Sequence, residues 1–435
     1  MSSISELNDK TNEPAMLPPP AQPQKWPAGM LKMDMLISEL KIQGRLTLLM
    51  AVMNLAWFTK TTITTAFLGR LGELSLAGGA LGVTFANVTG FSILNGICGA
   101  VETICGQAQA YLSSQSINLP TMLISTSALA IHVPINIVLS KTMGLKGVAT
   151  AVWITDLVVA VVLAIYVVIL ENTKGSGWKD GGWWDQSFKD WIRLVKLGAS
   201  CCLNTCLQWW CYEILVLLTG HFKDAKEAVG VLAIVLNLDY LFFSVMLSLG
   251  TCVSTRVSNQ LGANQFGSAY RSAMVSLALG FIVGWIGCLL MVVVRGSWAA
   301  LYTHDKGIIK GVKKIMLFMA LAEVFNSPLA VCGGILRGTA RPWLGMYANV
   351  AGFYFVALPI GVILAFKFHH GLVGLFIGLN VGIVVCLMLD MVFVMRIHWV
   401  KEAAKAQTRA SEQQVQNVPK HDAEELSTTQ ANNQV

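Results

Sequence analysis

The chain has 435 residues, 54% of them hydrophobic and only 13% charged, where soluble domains carry about a quarter charged residues. Charge collects in the first 45 residues, the last 40 and the short breaks between apolar runs, which excludes a single soluble core and points to a bilayer. The net charge of +7 comes without a basic cluster interleaved with aromatics, which argues against a nucleic-acid partner and fits loops facing anionic lipid.

Residues 1–40, with Pro18, Pro19 and Pro20 among scattered charges, read as a disordered tail lacking the apolar centre of a signal peptide. Apolar runs then fall at 46–68, 76–100, 121–140 and 148–170, giving four predicted spans within residues 41–170. The stretch 171–191 is polar and rich in tryptophan, with Trp178, Trp183, Trp184 and Trp191 suited to the headgroup level of a linker between two halves. Six more runs follow within residues 192–400, at 194–219, 228–253, 272–294, 315–336, 343–366 and 371–395. Each is near the roughly 20 residues that cross a 30 Å hydrocarbon core as a helix. Residues 401–435 are polar and expected to be disordered. The predicted fold class is therefore all-α, a polytopic bundle of ten spans in two lobes.

With both termini in the cytoplasm, 19 of the 31 Lys and Arg lie inside and 11 outside, with Lys60 within a span. That distribution favours the cytoplasmic placement of both ends. The ten cysteines sit in or beside apolar runs, as small packing residues rather than as a disulfide or zinc framework.

The two halves repeat each other. Phe91-Ser92, Val101 and Thr103 recur 152 residues later as Phe243-Ser244, Val253 and Thr255. Pro134-Ile135 and Leu139 recur 225 residues later as Pro359-Ile360 and Leu364. The turn Gly144-Leu145-Lys146-Gly147 recurs as Gly371-Leu372-Val373-Gly374. Such repeats are expected of secondary transporters, which rock one bundle against another. The offsets 152 and 225 differ by 73 residues, so the first half lacks a counterpart of the seventh and eighth spans.

In the runs Phe67–Gly72, Ala86–Gly90, Cys105–Ala108, Ser113–Ser116, Trp209–Glu213, Ser254–Ala263 and Leu336–Pro342 the chain resembles the multidrug and toxin extrusion (MATE) transporters, in particular their plant DETOXIFICATION branch. The likeness covers about residues 45–400, with the motifs in family order. It implies two six-helix lobes around a cavity, and export of organic cations, xenobiotics or metabolites in antiport with protons or sodium. It also implies two departures. The third and fourth of twelve spans are absent, and the Glu that usually precedes Trp-Trp in the first helix of the second lobe is replaced by Gln208.

Ionisable groups at lipid depth are costly and are functional candidates for that reason. Glu213 lies mid-span beside Trp209, Trp210 and Tyr212, whose rings can cradle a cation, though a carboxyl bonded within the bundle would look the same. Glu323 lies mid-span with Asn326 on the same face and Pro328 beyond, which frees backbone carbonyls. The resemblance implies a proton-binding carboxylate at the position of Gln208, which itself can hydrogen-bond but not titrate. Asp239 is a candidate replacement, or a locally bonded acid. In the first half, Lys60 and Asp156 are a candidate intramembrane pair, with Glu102 and Asn87 as further contributors. His132 is a relay candidate or a bonded core residue, and Asp390 is expected to be solvated or paired with Arg396. His369-His370 lacks further ligands for a metal, and no nucleotide-binding loop or nucleophile–base constellation is present. The expected partners are membrane lipids and a small organic substrate, with no cofactor beyond the coupling ion, and a monomeric state.

Overall fold

The computed structural model describes residues 33–86, 90, 118–174 and 188–416. Every regular element among them is a helix, as a chain must be that satisfies its own backbone groups in lipid. In chain order these are α1 (Met33–Arg70), α2 (Glu73–Ala86), α3 (Asn118–Met143), α4 (Leu145–Lys174) and α5 (Phe188–Thr219). There follow α6 (Ala225–Gly262), α7 (Phe266–Tyr302), α8 (Lys306–Gly338), α9 (Pro342–Lys367), α10 (Gly371–Met395) and α11 (Trp399–Gln416). Among the described residues six of these, α1 and α6 to α10, are long and apolar enough to cross a membrane. All ten sequence-predicted spans fall on helices, the second described only over Glu73–Ala86.

Local chemistry sets several boundaries. Asp305 caps α8, its carboxyl accepting the Ile308 amide at 2.9 Å. Pro342 opens α9 at a position where its missing N–H costs nothing. Gly144 and Gly371 both turn the chain with positive φ, 58° and 56°, which side-chain-bearing residues adopt with strain. Their partners in the repeat behave alike. A side chain at Gly147 would strike the Leu139 carbonyl, and one at Gly374 would meet the Leu364 backbone at 2.7 Å. The hairpins α3–α4 and α9–α10 are thus built on the same close approach, eight residues after Leu139 and ten after Leu364.

The core lies in the later half, where α8 packs against α6, α7 and α10, and α10 against α9. α1 leans on α6 and α7 as well as on α3, tying the short half to the long one. Large apolar residues line the outside, including Trp285, Leu289 and Val293 of α7 and Trp153 and Ile165 of α4. A helix face of this kind is at rest only against lipid.

Three expectations require correction. The disordered tail 1–40 ends earlier, because α1 begins at Met33 and buries Glu39 in hydrogen bonds to α6 and α7. The tail 401–435 is not disordered throughout. Residues up to Gln416 form the amphipathic helix α11, which buries Trp399, Ala403 and Ala406 and pairs Glu402 with Arg341. Asp390 is neither solvated nor paired with Arg396: it is 2% exposed and one of its oxygens has no hydrogen-bond partner among the described residues. The helix places it facing inward, a turn and a half before the end that Arg396 caps. Most of the tryptophan-rich linker, residues 175–187, lies outside the described residues.

Candidate functional site

A small, partly open cavity lies in the middle of the long half. Its wall is made by Gln208, Trp209, Tyr212 and Glu213 of α5, Asp239, Tyr240 and Phe243 of α6, and Asn326 of α8. The α5 residues are spaced i, i+1, i+4 and i+5, a single face of the helix. Trp210 lies 100° round from Trp209, so it is half-buried away from the wall, contrary to its place among the expected cavity aromatics.

Two kinds of contact shape this wall. Trp209 stacks on Tyr240 with ring centres 6.2 Å apart and planes 13° from parallel, and meets Phe243 edge-on at 5.4 Å. Phe58 of α1 closes the cluster, 6.4 Å from Trp209, 5.9 Å from Tyr240 and 6.2 Å from Phe243. Opposite the rings is a polar chain: the Gln208 amide donates to the Asn326 carbonyl oxygen at 2.9 Å, and the Asn326 amide donates to the Tyr212 hydroxyl at 3.4 Å. Gln208 therefore sits where the resemblance puts it, but as a hydrogen-bond donor committed to Asn326.

The carboxyls are grouped. Glu213 is 2% exposed and lies against the Tyr240 hydroxyl. Glu323 is fully buried and faces Asp239, the two carboxyls interacting without a well-directed hydrogen bond. Both Glu323 oxygens and one Asp239 oxygen lack any other hydrogen-bond partner among the described residues. Glu323 lies behind Asp239 rather than on the cavity wall. Two adjacent carboxyls without a cation cannot both be ionised in so dry a place, so the arrangement is suited to holding a proton or a small cation.

The short half holds a separate polar group. Lys60 and Asp156 form an ion pair, and the ammonium lies 4.2 Å from the centre of the Trp57 ring. Neither residue lines the cavity. Asn87 and Glu102 fall outside the described residues. Sequence reasoning passed over Tyr240, Phe243 and Phe58. The only signal for the first two was their position in the aromatic run beside Asp239; Phe58 required the packing of α1 on α6.

The family model described as MatE matches residues 50–110 and 200–363. Protein DETOXIFICATION 56 of Arabidopsis thaliana is 49% identical, over 86% of this chain and 91% of that one. The chain is a member of the MATE family. Members are transporters rather than enzymes, and this MATE protein is accordingly a multi-pass membrane transporter. Protein DETOXIFICATION 49 of Arabidopsis thaliana is 32% identical, over 85% of this chain and 88% of its own. The crystal structure of the eukaryotic MATE transporter AtDTX14 superposes with a TM-score of 0.78 at 25% identity, covering 86% of this chain and 99% of that one.

The alignments also size the gap. Pairing with DETOXIFICATION 56 takes 447 columns but uses 86% of 435 residues, or about 374, leaving about 73 columns where this chain is blank. That is the shortfall counted from the repeat. The first family match ends at residue 110, after 61 residues, whereas the second runs for 164.

Proposed function

We propose that this transporter exports organic cations, xenobiotics or amphipathic metabolites in exchange for protons, or sodium, by alternating exposure of the α5–α6–α8 cavity. The observation that carries this reading is the juxtaposition at one wall of an aromatic shelf, Trp209, Tyr240 and Phe243, and two buried carboxyls, Glu213 and Asp239. Rings attract a cation through their faces, and a nearby carboxylate supplies the compensating charge. The coupling proton resides on the Asp239–Glu323 pair or on Glu213. A cation entering the cavity favours the ionised carboxyl and drives the proton off; reprotonation from the other side releases the cation. Gln208 contributes hydrogen bonds through Asn326 and takes no part in proton exchange. Both termini face the cytoplasm, and the chain works as a monomer.

Purified protein in liposomes, with a pH gradient imposed, tests the reading. Uptake of a fluorescent organic cation should follow the gradient and collapse with a protonophore. Correctly inserted protein with no gradient-driven flux refutes it.

A second reading draws on the blank columns: without two first-lobe spans the chain is a non-transporting form that modulates full-length relatives. Transport by this chain alone at the rate of a twelve-span relative would dismiss that reading.

A further inference from the structure

The end of α8 remote from α11 carries a run of charge that the cavity does not use. Lys306, Lys310, Lys313 and Lys314 recur at i, i+4, i+7 and i+8, so one face of the helix holds all four, and each is exposed. Among the described residues none of them has a hydrogen-bond or ion-pair partner. The nearby acids sit at the helix start instead. Asp305 caps the Ile308 amide, and a side chain at Gly307 would meet the Glu227 and Asp305 carboxyls at 3.0 Å and 3.1 Å. The lysines from 310 onward are thus unopposed and repel one another, a cost that an anionic partner removes.

The continuation of the stripe identifies its surroundings. Leu317 falls seven residues after Lys310 and Leu321 seven after Lys314, on the same face, and both are exposed. The face therefore changes from lysine to large aliphatic where the apolar run 315–336 begins. Asn326, on the cavity wall, lies about 140° round the helix from Leu321, so the stripe points away from the cavity. It is flanked by α7 and α10. The Lys313 stem runs against α7, where a side chain at Gly296 would touch its Cε at 3.6 Å, and the Asn380 amide of α10 donates to the Phe318 carbonyl at 3.1 Å. One turn from Gly296, α7 exposes Val293 and, a turn further, Leu289, a surface that only lipid covers at no cost.

Depth follows from the helix rise. α8 has 33 residues, about 50 Å, against a hydrocarbon core of about 30 Å, so its first turns stand clear of the acyl chains. With the apolar run starting at residue 315, Lys313 and Lys314 lie at the boundary, Lys310 about 6 Å from it and Lys306 about 12 Å. A headgroup layer about 5–7 Å deep takes in the first three and leaves Lys306 in water. Three ammonium groups at phosphate depth, directly over leucines at acyl depth, match the two parts of an anionic lipid.

We propose that Lys310, Lys313 and Lys314 bind the phosphate headgroup of an anionic phospholipid, whose acyl chains lie along Leu317 and Leu321 between α7 and α10. The occupant is a lipid rather than a soluble anion because the lysines open onto lipid-facing leucines and turn away from the cavity. Lipid binding is read without transport, so this site and the antiport reading fail independently.

The test is native mass spectrometry of the full chain released from detergent micelles, titrated with phosphatidylglycerol or with phosphatidylcholine. A lysine at a charged headgroup plane contributes about fivefold in affinity, so K310Q/K313Q/K314Q should weaken the tightest phosphatidylglycerol site by at least about tenfold. Phosphatidylcholine binding should not change, and K310R/K313R/K314R, which keeps the charge, should retain the site. K41Q/K141Q/K401Q removes the same charge from three exposed lysines on three other helices and should leave the site intact. Unchanged phosphatidylglycerol binding by the first variant, or equal weakening by the dispersed one, overturns the proposal. Displacement of the lipid by an equal concentration of glycerol 3-phosphate would make this a site for a soluble anion and overturn the lipid assignment.

Discussion

Arg256→Ala should destabilise the whole bundle, although the residue lies far from the cavity wall. Arg256 donates from Nε and Nη2 to the two oxygens of Glu39, both at 2.6 Å, joining α6 to α1. Glu39 is 8% exposed and also accepts from the Ser272 hydroxyl at 2.7 Å and the Gln43 amide at 2.9 Å. Removing one partner of a buried pair costs about 3–5 kcal/mol, because a charge is left behind. Here Ser272 and Gln43 continue to donate, and the guanidinium is 18% exposed, so the lower end of that range, about 3 kcal/mol, is expected. At about 2 °C per kcal/mol for a long chain, the loss is a fall of about 6 °C in melting temperature. Glu39→Gln alone should cost less, since the amide keeps one acceptor, and the double variant should lie well short of the sum. A double-mutant cycle on thermal unfolding in nanodiscs measures this coupling. Additive effects, or a shift below about 1 °C for Arg256→Ala, would refute the argument that this pair fastens α1 to α6.

Trp209→Ala or Tyr240→Ala removes one face of the aromatic shelf and should raise KM for a cationic substrate between about 2-fold and 30-fold, the equivalent of about 0.5–2 kcal/mol of cation–π attraction; uptake kinetics at several concentrations check this. Glu323→Gln keeps the shape and removes the titratable group. Gradient-driven uptake should fall at least about tenfold while thermal stability holds or rises, since a desolvated carboxyl is exchanged for a neutral amide. Ending the chain after Ile397 deletes α11, with its buried Trp399 edge-on to Tyr270 at 5.9 Å and its Glu402–Arg341 pair. Losing the tryptophan's burial alone should cost about 2–3 kcal/mol, seen as a lower melting temperature.

Much of this architecture was legible in residue patterns because a bilayer leaves so few solutions. The ten apolar runs fall on helices wherever they are described, and the repeated Gly-Leu-x-Gly turns at 144 and 371 took up the same left-handed geometry. The Lys60–Asp156 pair was legible as well, since two opposite charges in adjacent apolar helices have little else to bind. What escaped was whatever depends on how helices are rotated. Nothing in the order Trp209-Trp210 says which ring faces the cavity. Nor does the sequence show that Asp390, about a turn and a half from the helix end, points inward. The terminal helices escaped for a different reason. Glu39 and Glu402 read as polar tail residues and Gln43 stood ahead of the first apolar run, yet each is buried by hydrogen bonds to partners more than 50 residues away.

The cavity wall bears on whether a short first lobe can serve a long second one. The first-lobe residue that reaches the aromatic cluster is Phe58, and the helix that carries it is intact from Met33 to Arg70. α1 is held at its N-terminal end by Arg256, mid-way by the Asn54 amide on the Ser248 hydroxyl at 2.9 Å, and near its C-terminal end by Gly69, where a side chain would strike the Tyr302 carbonyl at 2.7 Å. Among the described residues the contacts through which one lobe would feel the other therefore run along α1, with α2 also packed on α6, and not through the two missing spans. Their loss removes packing around the short lobe while leaving its link to the cavity in place.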